Sequence, residues 1–216
     1  LAANLGTVGV GEDTGGSIRV PSSNCNLFGL RVTTGLISRA GLSPLLTRQD
    51  TAGPMARTVE ALARLLDVLV GYDSANSYTI VNSMVDTESY FEQLDEHIIN
   101  NARIGVLRQA FGDESDPAFE PVNCLVESAI ESIQAAGAEI VDPVAIDDLD
   151  DRLEETWLYG LASKSDIDSF LRNLRDPPIE SFDELYESGA YYEGLPVIED
   201  IADGPSDPTN SVEYWH

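Results

Sequence analysis

The segment GEDTGGSIRVP, residues 11–21, places two glycines directly before Ser17, with Asp13 and Arg19 on either side. Paired glycines let the backbone take conformations that other residues avoid, and let it approach another group closely. Successive N–H groups in such a turn can converge on one point and bind an anion. A serine at the end of this turn lies beside its own oxyanion hole, as acyl transfer requires. An ordinary surface turn is the alternative, because Asp, Gly and Ser are common turn residues.

Two further blocks follow this segment along the chain. The first runs from Phe28 to Arg31 and continues with Thr33 and Gly35; the second begins at Asp50 and continues with Gly53-Pro54-Met55 and Arg57-Thr58-Val59. Together with residues 13–21, these blocks closely resemble the amidase signature family over residues 1–73. A weaker resemblance continues through residues 103–143, which are similar to a strand–helix–strand segment of that family.

The resemblance implies an α/β protein with the α/β/α layered amidase-signature fold around a mixed central sheet, incomplete in this chain. Residues 1–216 would form a single, partial domain. Within it we expect a signature core over 1–73, a strand–helix–strand segment over 74–146 and an acidic, mostly helical variable region over 147–216. The chain starts at Leu1 without an initiator methionine and ends at His216 without a visible cap. It therefore resembles a fragment that lacks the N-terminal and C-terminal parts.

The resemblance also implies a mechanism. Family members act on amide bonds with a Ser–cisSer–Lys triad, and the nucleophile of that triad falls on Ser17. The oxyanion hole of the family maps onto the backbone N–H groups of Thr14, Gly15, Gly16 and Ser17. The bridging serine and the lysine base lie upstream of this block in the family, so both fall outside this chain. No metal and no organic cofactor is implied.

Two charged positions of the matching motif, Asp13 and Arg19, are expected to pair and brace the loop, the alternative being that each faces water. Glu12 stands where the family usually has Ser or Thr, and its charge would disfavour anionic substrates. Arg31-Val32 replaces a common Lys-Pro. Lys164, the only lysine of the chain, is predicted to be a solvated surface residue on a helix.

We therefore expect an amidase that hydrolyses a linear carboxylic amide through a serine acyl-enzyme. A serine hydroxyl is a poor nucleophile without an adjacent base, so the 216 residues alone should be nearly inactive. One alternative is the glutaminase (A) subunit of a tRNA-dependent amidotransferase, which shares the signature and would co-purify with further subunits. Another is a non-catalytic remnant or pseudo-enzyme. The expected partner is a small-molecule amide; the sequence leaves a homodimer open.

The composition is strongly acidic, with 38 Asp and Glu against 12 Lys and Arg and a net charge of −26. This balance argues against a nucleic-acid partner and against anionic membrane surfaces. No apolar run of about 18 residues is present, so no transmembrane helix is expected. The two cysteines and two histidines show no metal-binding spacing, and Cys25 is predicted to be a small buried thiol. We expect a cytoplasmic protein.

The apolar pattern also predicts several secondary-structure elements. Residues 5–10 are predicted to form a strand and residues 49–55 a loop. A helix after the N-cap Thr58 and a β-α-β unit over residues 104–141 follow from apolar spacing. The acidic region is predicted to hold one helix over residues 151–174, with Trp157 in the core, and a short helix capped by Ser181.

A salt requirement is the first testable consequence, because acid-rich and lysine-poor composition is similar to that of proteins from salt-in halophiles. Salt shortens the Debye length from ~10 Å at 0.1 M to ~3 Å at 1 M and screens the repulsion between the carboxylates. We expect the melting temperature of the intact protein to rise from low salt to molar KCl, as measured by circular dichroism. An unchanged or lower melting temperature in molar KCl would rule out this adaptation.

Overall fold

A computed structural model of the protein describes residues 1–84, 88–113 and 115–215. The chain is a mixed α/β protein with helices and small sheets, as predicted. It divides into two compact units, one formed by residues 1–93 with 157–216 and the other by residues 94–156. None of the helices in the described ranges is long and apolar enough to cross a membrane. The three-part division expected from the sequence stays a prediction.

The first unit is built on a three-stranded antiparallel sheet. Its strands are β1 (Val8–Asp13), β2 (Phe28–Gly29) and β3 (Thr51–Ala56), in the order β1-β3-β2. Across β1 and β3, Val8 lies opposite Ala56 and Asp13 lies opposite Thr51. The strand predicted over residues 5–10 is therefore present, but it is shifted toward the signature segment and ends at Asp13.

The prediction of a loop over residues 49–55 is wrong, because residues 51–56 form the buried central strand β3. Gly53 and Pro54 interrupt the apolar pattern, and proline is normally excluded from central strands because it has no N–H to donate. The carbonyl of Pro54 accepts a hydrogen bond from the N–H of Leu30 at 3.1 Å. In an antiparallel strand, the N–H and C=O of one residue point toward the same neighbouring strand. The N–H that Pro54 lacks would therefore point toward the end of short β2, so its absence removes no hydrogen bond between β1 and β3.

Helix α1 (Arg19–Asn24) follows the signature turn, and α2 (Val59–Leu69) follows β3. Helix α2 begins as predicted, since the Thr58 side chain accepts a hydrogen bond from the N–H of Ala61 at 3.1 Å. Its buried face packs against the sheet, with Leu66 in one cluster with Val32, Ile37 and Ala52. This cluster joins α2 to β3 and to the segment that follows β2.

The acidic region does not form one continuous helix over residues 151–174, so that prediction is wrong. Helix α4 (Leu149–Glu155) belongs to the second unit, and α5 (Tyr159–Asn173) belongs to the first. Trp157 lies between the two helices and is 61% exposed rather than in the core. The buried aromatic position is taken by Tyr159, whose ring Trp157 contacts edge-on at 4.5 Å between centroids.

Two short helices, α6 (Phe182–Ser188) and α7 (Val197–Ala202), complete the helical part of the first unit. Ser181 caps α6 as predicted, by accepting a hydrogen bond from the N–H of Glu184 at 3.2 Å. Short 3₁₀ turns lie at Ser77–Ser83, Arg108–Ala110 and Pro208–Asn210.

Lys164 on α5 is buried, so the prediction of a solvated surface residue is wrong. Its Nζ forms an ion pair with the Asp183 carboxylate at 2.9 Å and donates to the carbonyl of Ala202 at 2.7 Å. Helix α5 packs against both α6 and α7, so this position faces partners rather than water. A buried ammonium group is tolerated because it is paired and hydrogen-bonded.

The second unit contains the predicted β-α-β arrangement. Strands β4 (Arg103–Leu107) and β5 (Glu139–Val144) are parallel, and α3 (Glu120–Ala135) connects them. Parallel strands require such a crossover connection. The Arg108 guanidinium bonds both Asp142 and Glu127, which ties the end of β4 to β5 and to α3.

The N-cap of α2 gives a stability prediction. Replacing Thr58 by Ala removes the acceptor for the N–H of Ala61 and should lower the free energy of unfolding by about 1 kcal/mol. Thr58→Ser keeps the oxygen and should stay close to the unchanged protein, as measured by urea denaturation in molar KCl. Equal stability of the Ala and Ser variants would contradict this role of Thr58.

Candidate active site

The predicted nucleophile lies in a strand–turn–helix arrangement. Strand β1 ends at Asp13 and α1 begins at Arg19, so residues 14–17, the nucleophile loop, connect the two. Gly16 has a φ of +153°, which L residues rarely adopt, so this position favours glycine. The next residue, Ser17, is exposed to solvent. Its hydroxyl is therefore accessible to a substrate.

Asp13 is fully buried at the base of the nucleophile loop. Its Oδ2 accepts hydrogen bonds from the backbone N–H of Ile18 at 3.1 Å, from that of Arg19 at 3.4 Å and from Arg19 Nε at 3.2 Å. Its Oδ1 accepts from Arg19 Nη2 and from Arg31 Nε, both at 3.2 Å. The structure thus brings Asp13 and Arg19 into an ion pair and adds a second arginine.

The buried Asp13 stays ionised. Burial alone would raise the pKa of this carboxyl, but the hydrogen bonds from the Arg19 side chain and from the backbone N–H groups of Ile18 and Arg19 outweigh it and lower the pKa to about 2. Hydrogen bonds to the charged form favour that form. The negative charge is therefore a permanent part of the site at neutral pH.

Arg31 connects three parts of the chain, a role that the sequence reasoning missed. Besides Asp13, its guanidinium donates from Nη2 to the carbonyls of Thr14 at 3.4 Å and Gln49 at 2.6 Å. The rigid fork of arginine suits such a multiple contact better than a lysine would. The available signal was its place in the second signature block, at a position where the family commonly has lysine.

Asp50 holds the other side of the loop, and sequence reasoning gave it no role. The hydroxyl of Thr14 donates to Asp50 Oδ1 at 2.5 Å, and Asp50 also accepts from the N–H groups of Leu45 and Leu46. Asp50 is buried and directly precedes β3. It therefore links the start of the third signature block to the first residue of the nucleophile loop.

A cavity of about 340 Å³ adjoins this region and is lined in part by charged side chains: Glu12, Arg39, Asp50 and Asp166. Burial raises the pKa of Glu12, and the neighbouring charge of Asp50 raises it further. Burial also raises the pKa of Asp166, which accepts a hydrogen bond from the N–H of Thr47 at 2.7 Å. The Arg39 guanidinium lies over the Tyr78 ring at 4.5 Å.

Within the described ranges, no side chain forms a hydrogen bond with the Ser17 hydroxyl. The ammonium group of Lys164 is occupied by Asp183 and Ala202, so this lysine does not supply the base for Ser17. Cys25 is exposed, and its prediction as a buried thiol is wrong, because it lies at the solvent-facing end of α1. The described residues contain no group of three or more side chains that could hold a metal ion, and His216 lies outside them.

The family model described as Amidase matches residues 1–196. The peptide amidase of Stenotrophomonas maltophilia is similar in structure, with a TM-score of 0.80 and 28% identity over 96% of this chain and 43% of that chain. The A subunit of the glutamyl-tRNA(Gln) amidotransferase of Thermotoga maritima shares the fold, with a TM-score of 0.63 and 24% identity over 80% of this chain and 36% of that chain.

Curated relatives are similar over a shorter stretch. The A subunit of the glutamyl-tRNA(Gln) amidotransferase of Alkalilimnicola ehrlichii is 40% identical over 140 residues, which is 65% of this chain and 28% of that protein. The matched stretch thus spans little more than a quarter of the length of this relative.

The low pKa of Asp13 predicts a defined acid sensitivity. The carboxylate stabilises the fold above the unfolded-state pKa of 3.8, and this stabilisation is lost as the pH falls toward the folded-state pKa of about 2. A shift of this size corresponds to about 2 kcal/mol. Between pH 5 and pH 2, the protein should lose about 2 kcal/mol more of its unfolding free energy than Asp13→Asn, measured by urea denaturation at fixed salt. Parallel pH profiles for the two proteins would contradict the assignment.

Proposed function

The chain belongs to the amidase signature family, and from this we propose that the complete protein hydrolyses the C–N bond of a linear carboxylic amide with Ser17 as nucleophile. The observation that carries the proposal is the exposed Ser17 at the end of a loop that two buried carboxylates hold. Family membership supports action on amides. The role of Ser17 is supported by its place in the turn between β1 and α1.

In the proposed reaction, the amide oxygen accepts hydrogen bonds from the backbone N–H groups of residues 14–17. The Ser17 oxygen attacks the carbonyl carbon, its proton passes to a Ser/Lys relay upstream of the signature segment, and a tetrahedral oxyanion forms. Collapse of this intermediate breaks the C–N bond, and ammonia or an amine leaves with the proton. Water then hydrolyses the acyl-enzyme. These steps need no metal and no organic cofactor.

The proposed oxyanion hole requires N–H groups that are fixed before the substrate arrives, because donors that need no reorganisation stabilise developing charge best. Asp13 restrains the end of the loop through Ile18 and Arg19, and Arg31 holds the Thr14 carbonyl. Asp50 restrains the Thr14 side chain. We propose that bracing of the loop is the function of the Asp13–Arg19 pair.

The carboxylates around the adjoining cavity bear on substrate choice. Glu12, Asp50 and Asp166 line it together with Arg39, so acidic groups outnumber basic ones. We propose that the site disfavours anionic amides, because carboxylate groups of a substrate would face like charges. A neutral or cationic small-molecule amide fits this surface. The acid-rich composition supports a salt-rich cytoplasm as its location, with neither nucleic acid nor membrane as partner.

The glutaminase subunit of a tRNA-dependent amidotransferase is the second candidate, since the curated relative described above is an amidotransferase A subunit. Structural similarity favours the first candidate. The peptide amidase matches 96% of the chain with a TM-score of 0.80, against 80% and 0.63 for the Thermotoga maritima protein. A glutaminase subunit should co-purify with further subunits and release ammonia from glutamine, whereas the first candidate should act without them.

The nucleophile is tested by substitution in the full-length protein. Ser17→Ala should lower the rate of ammonia release from simple amides in molar KCl by at least ~10³-fold, because removal of the nucleophile leaves only residual catalysis by binding and the oxyanion hole. Ser23→Ala, an exposed serine on α1, is the matched control and should retain full activity. Turnover by Ser17→Ala at the unchanged rate would overturn the assignment. Absence of turnover in the unchanged full-length protein would favour the non-catalytic alternative.

The isolated chain gives a further test. Since no side chain in the described ranges forms a hydrogen bond with the Ser17 hydroxyl and Lys164 is occupied elsewhere, residues 1–216 alone should show at most residual turnover of the same amides. Turnover by the isolated chain at the rate of the full-length protein, abolished by Ser17→Ala, would contradict this expectation.

A further inference from the structure

Tyr159, at the first turn of α5, contacts the nucleophile loop although it lies outside all three signature blocks. A Cβ atom placed on Gly15 would lie 2.6 Å from the Tyr159 hydroxyl oxygen and 3.8 Å from its Cζ. The first distance is shorter than any real Cβ contact, and the second is ordinary van der Waals contact. The Tyr159 hydroxyl therefore occupies the place that a side chain at position 15 would take.

Tyr159 is held firmly in this place. It is 6% exposed, and the ring of Trp157 packs against it edge-on. Helix α5 is anchored by the contacts of Lys164 with Asp183 and Ala202, and by the hydrogen bond from the N–H of Thr47 to Asp166. A tightly packed side chain on an anchored helix cannot give way without moving its neighbours.

The electrostatic surroundings keep the Tyr159 phenol neutral. Burial raises its pKa, and the charges of Asp50 and Asp13 raise it further, while Arg31 opposes them. These two carboxylates are the same groups that hold the nucleophile loop. A neutral hydroxyl beside Gly15 restricts the position of the loop sterically and places no negative charge where an oxyanion would develop.

We propose that Tyr159 is a positioning residue of the nucleophile loop, whose hydroxyl fixes Gly15 and thereby sets the direction of the N–H groups of Gly15 and Gly16. The inference rests on the proposed function, because only an oxyanion hole makes these directions matter for a reaction. It adds to the carboxylate contacts a third restraint, which comes from the region of the chain that matches no signature block.

Steric exchange between positions 15 and 159 tests the proposal in the full-length protein. Gly15→Ala should clash with the hydroxyl, move the loop and lower kcat by about 100-fold, a loss comparable to that of an oxyanion-hole donor. Adding Tyr159→Phe removes the oxygen, leaves Cζ in ordinary contact and should bring kcat back to within about tenfold of Tyr159→Phe alone. KM should change much less than kcat, because the loop acts on the transition state.

The NMR signal of the Gly16 amide, in protein labelled with ¹⁵N-glycine, reports the loop geometry independently of turnover. The signal should shift in Gly15→Ala and return in the double variant. Gly6→Ala, whose Cβ would have only ordinary contacts, and Tyr72→Phe, on a half-exposed tyrosine, are the matched controls and should leave both readouts unchanged.

Gly15→Ala with the same effect in the presence and absence of Tyr159→Phe would overturn the proposal. Restored stability without restored kcat, in an active protein, would show a purely structural contact and overturn it as well. If the unchanged protein turns over no amide, the proposed function fails, and the Gly16 signal alone then decides on Tyr159.

Discussion

A fully buried carboxylate, Asp13, is the constraint on which the rest of the site depends. A charge that is buried away from water must be paired and hydrogen-bonded, because the free-energy cost of its desolvation is otherwise too high. Asp13 meets this requirement with two guanidinium groups and two backbone N–H groups. Asp13 itself precedes Ser17, and its donors lie directly after Ser17 and on the segment after β2, so satisfying one charge fixes the turn between β1 and α1.

A second buried carboxylate extends the same logic to the third signature block. Asp50 binds the Thr14 hydroxyl and two backbone N–H groups, and the residues that follow it form the central strand β3. Because β3 lies between β1 and β2, three blocks that are separate in sequence become neighbours in space. The nucleophile loop is therefore held by contacts that come from every part of the signature.

The sequence predicted those features that depend on local pattern. Helix α2, its Thr58 cap and the β-α-β unit follow from apolar spacing, and the turn before Ser17 follows from paired glycines. Prediction from the sequence failed where a tertiary contact decides whether a segment forms a strand or whether a side chain is buried. Strand β3 tolerates Pro54 only because its neighbour β2 is short, and Lys164 is buried because α5 packs between two helices. No periodicity encodes either fact.

The roles of single residues could likewise be predicted from the sequence only where the residues belong to one local motif. Asp13 and Arg19 belong to one short motif, so their pairing could be expected, whereas Arg31 and Asp50 reach the loop from other blocks. Tyr159 reaches it from a region without any motif. Its contact with Gly15 is visible only once α5 is placed, because it arises from shape rather than from charge or spacing.

The central claim is that Ser17 is the nucleophile of an amide-cleaving site, and covalent labelling of the full-length protein tests it most directly. A fluorophosphonate probe reacts with activated serine hydroxyls, and mass spectrometry of the digested protein locates the adduct. We expect the adduct on Ser17. An adduct on another residue, such as Ser23 or Cys25, with Ser17 unlabelled, would contradict the account.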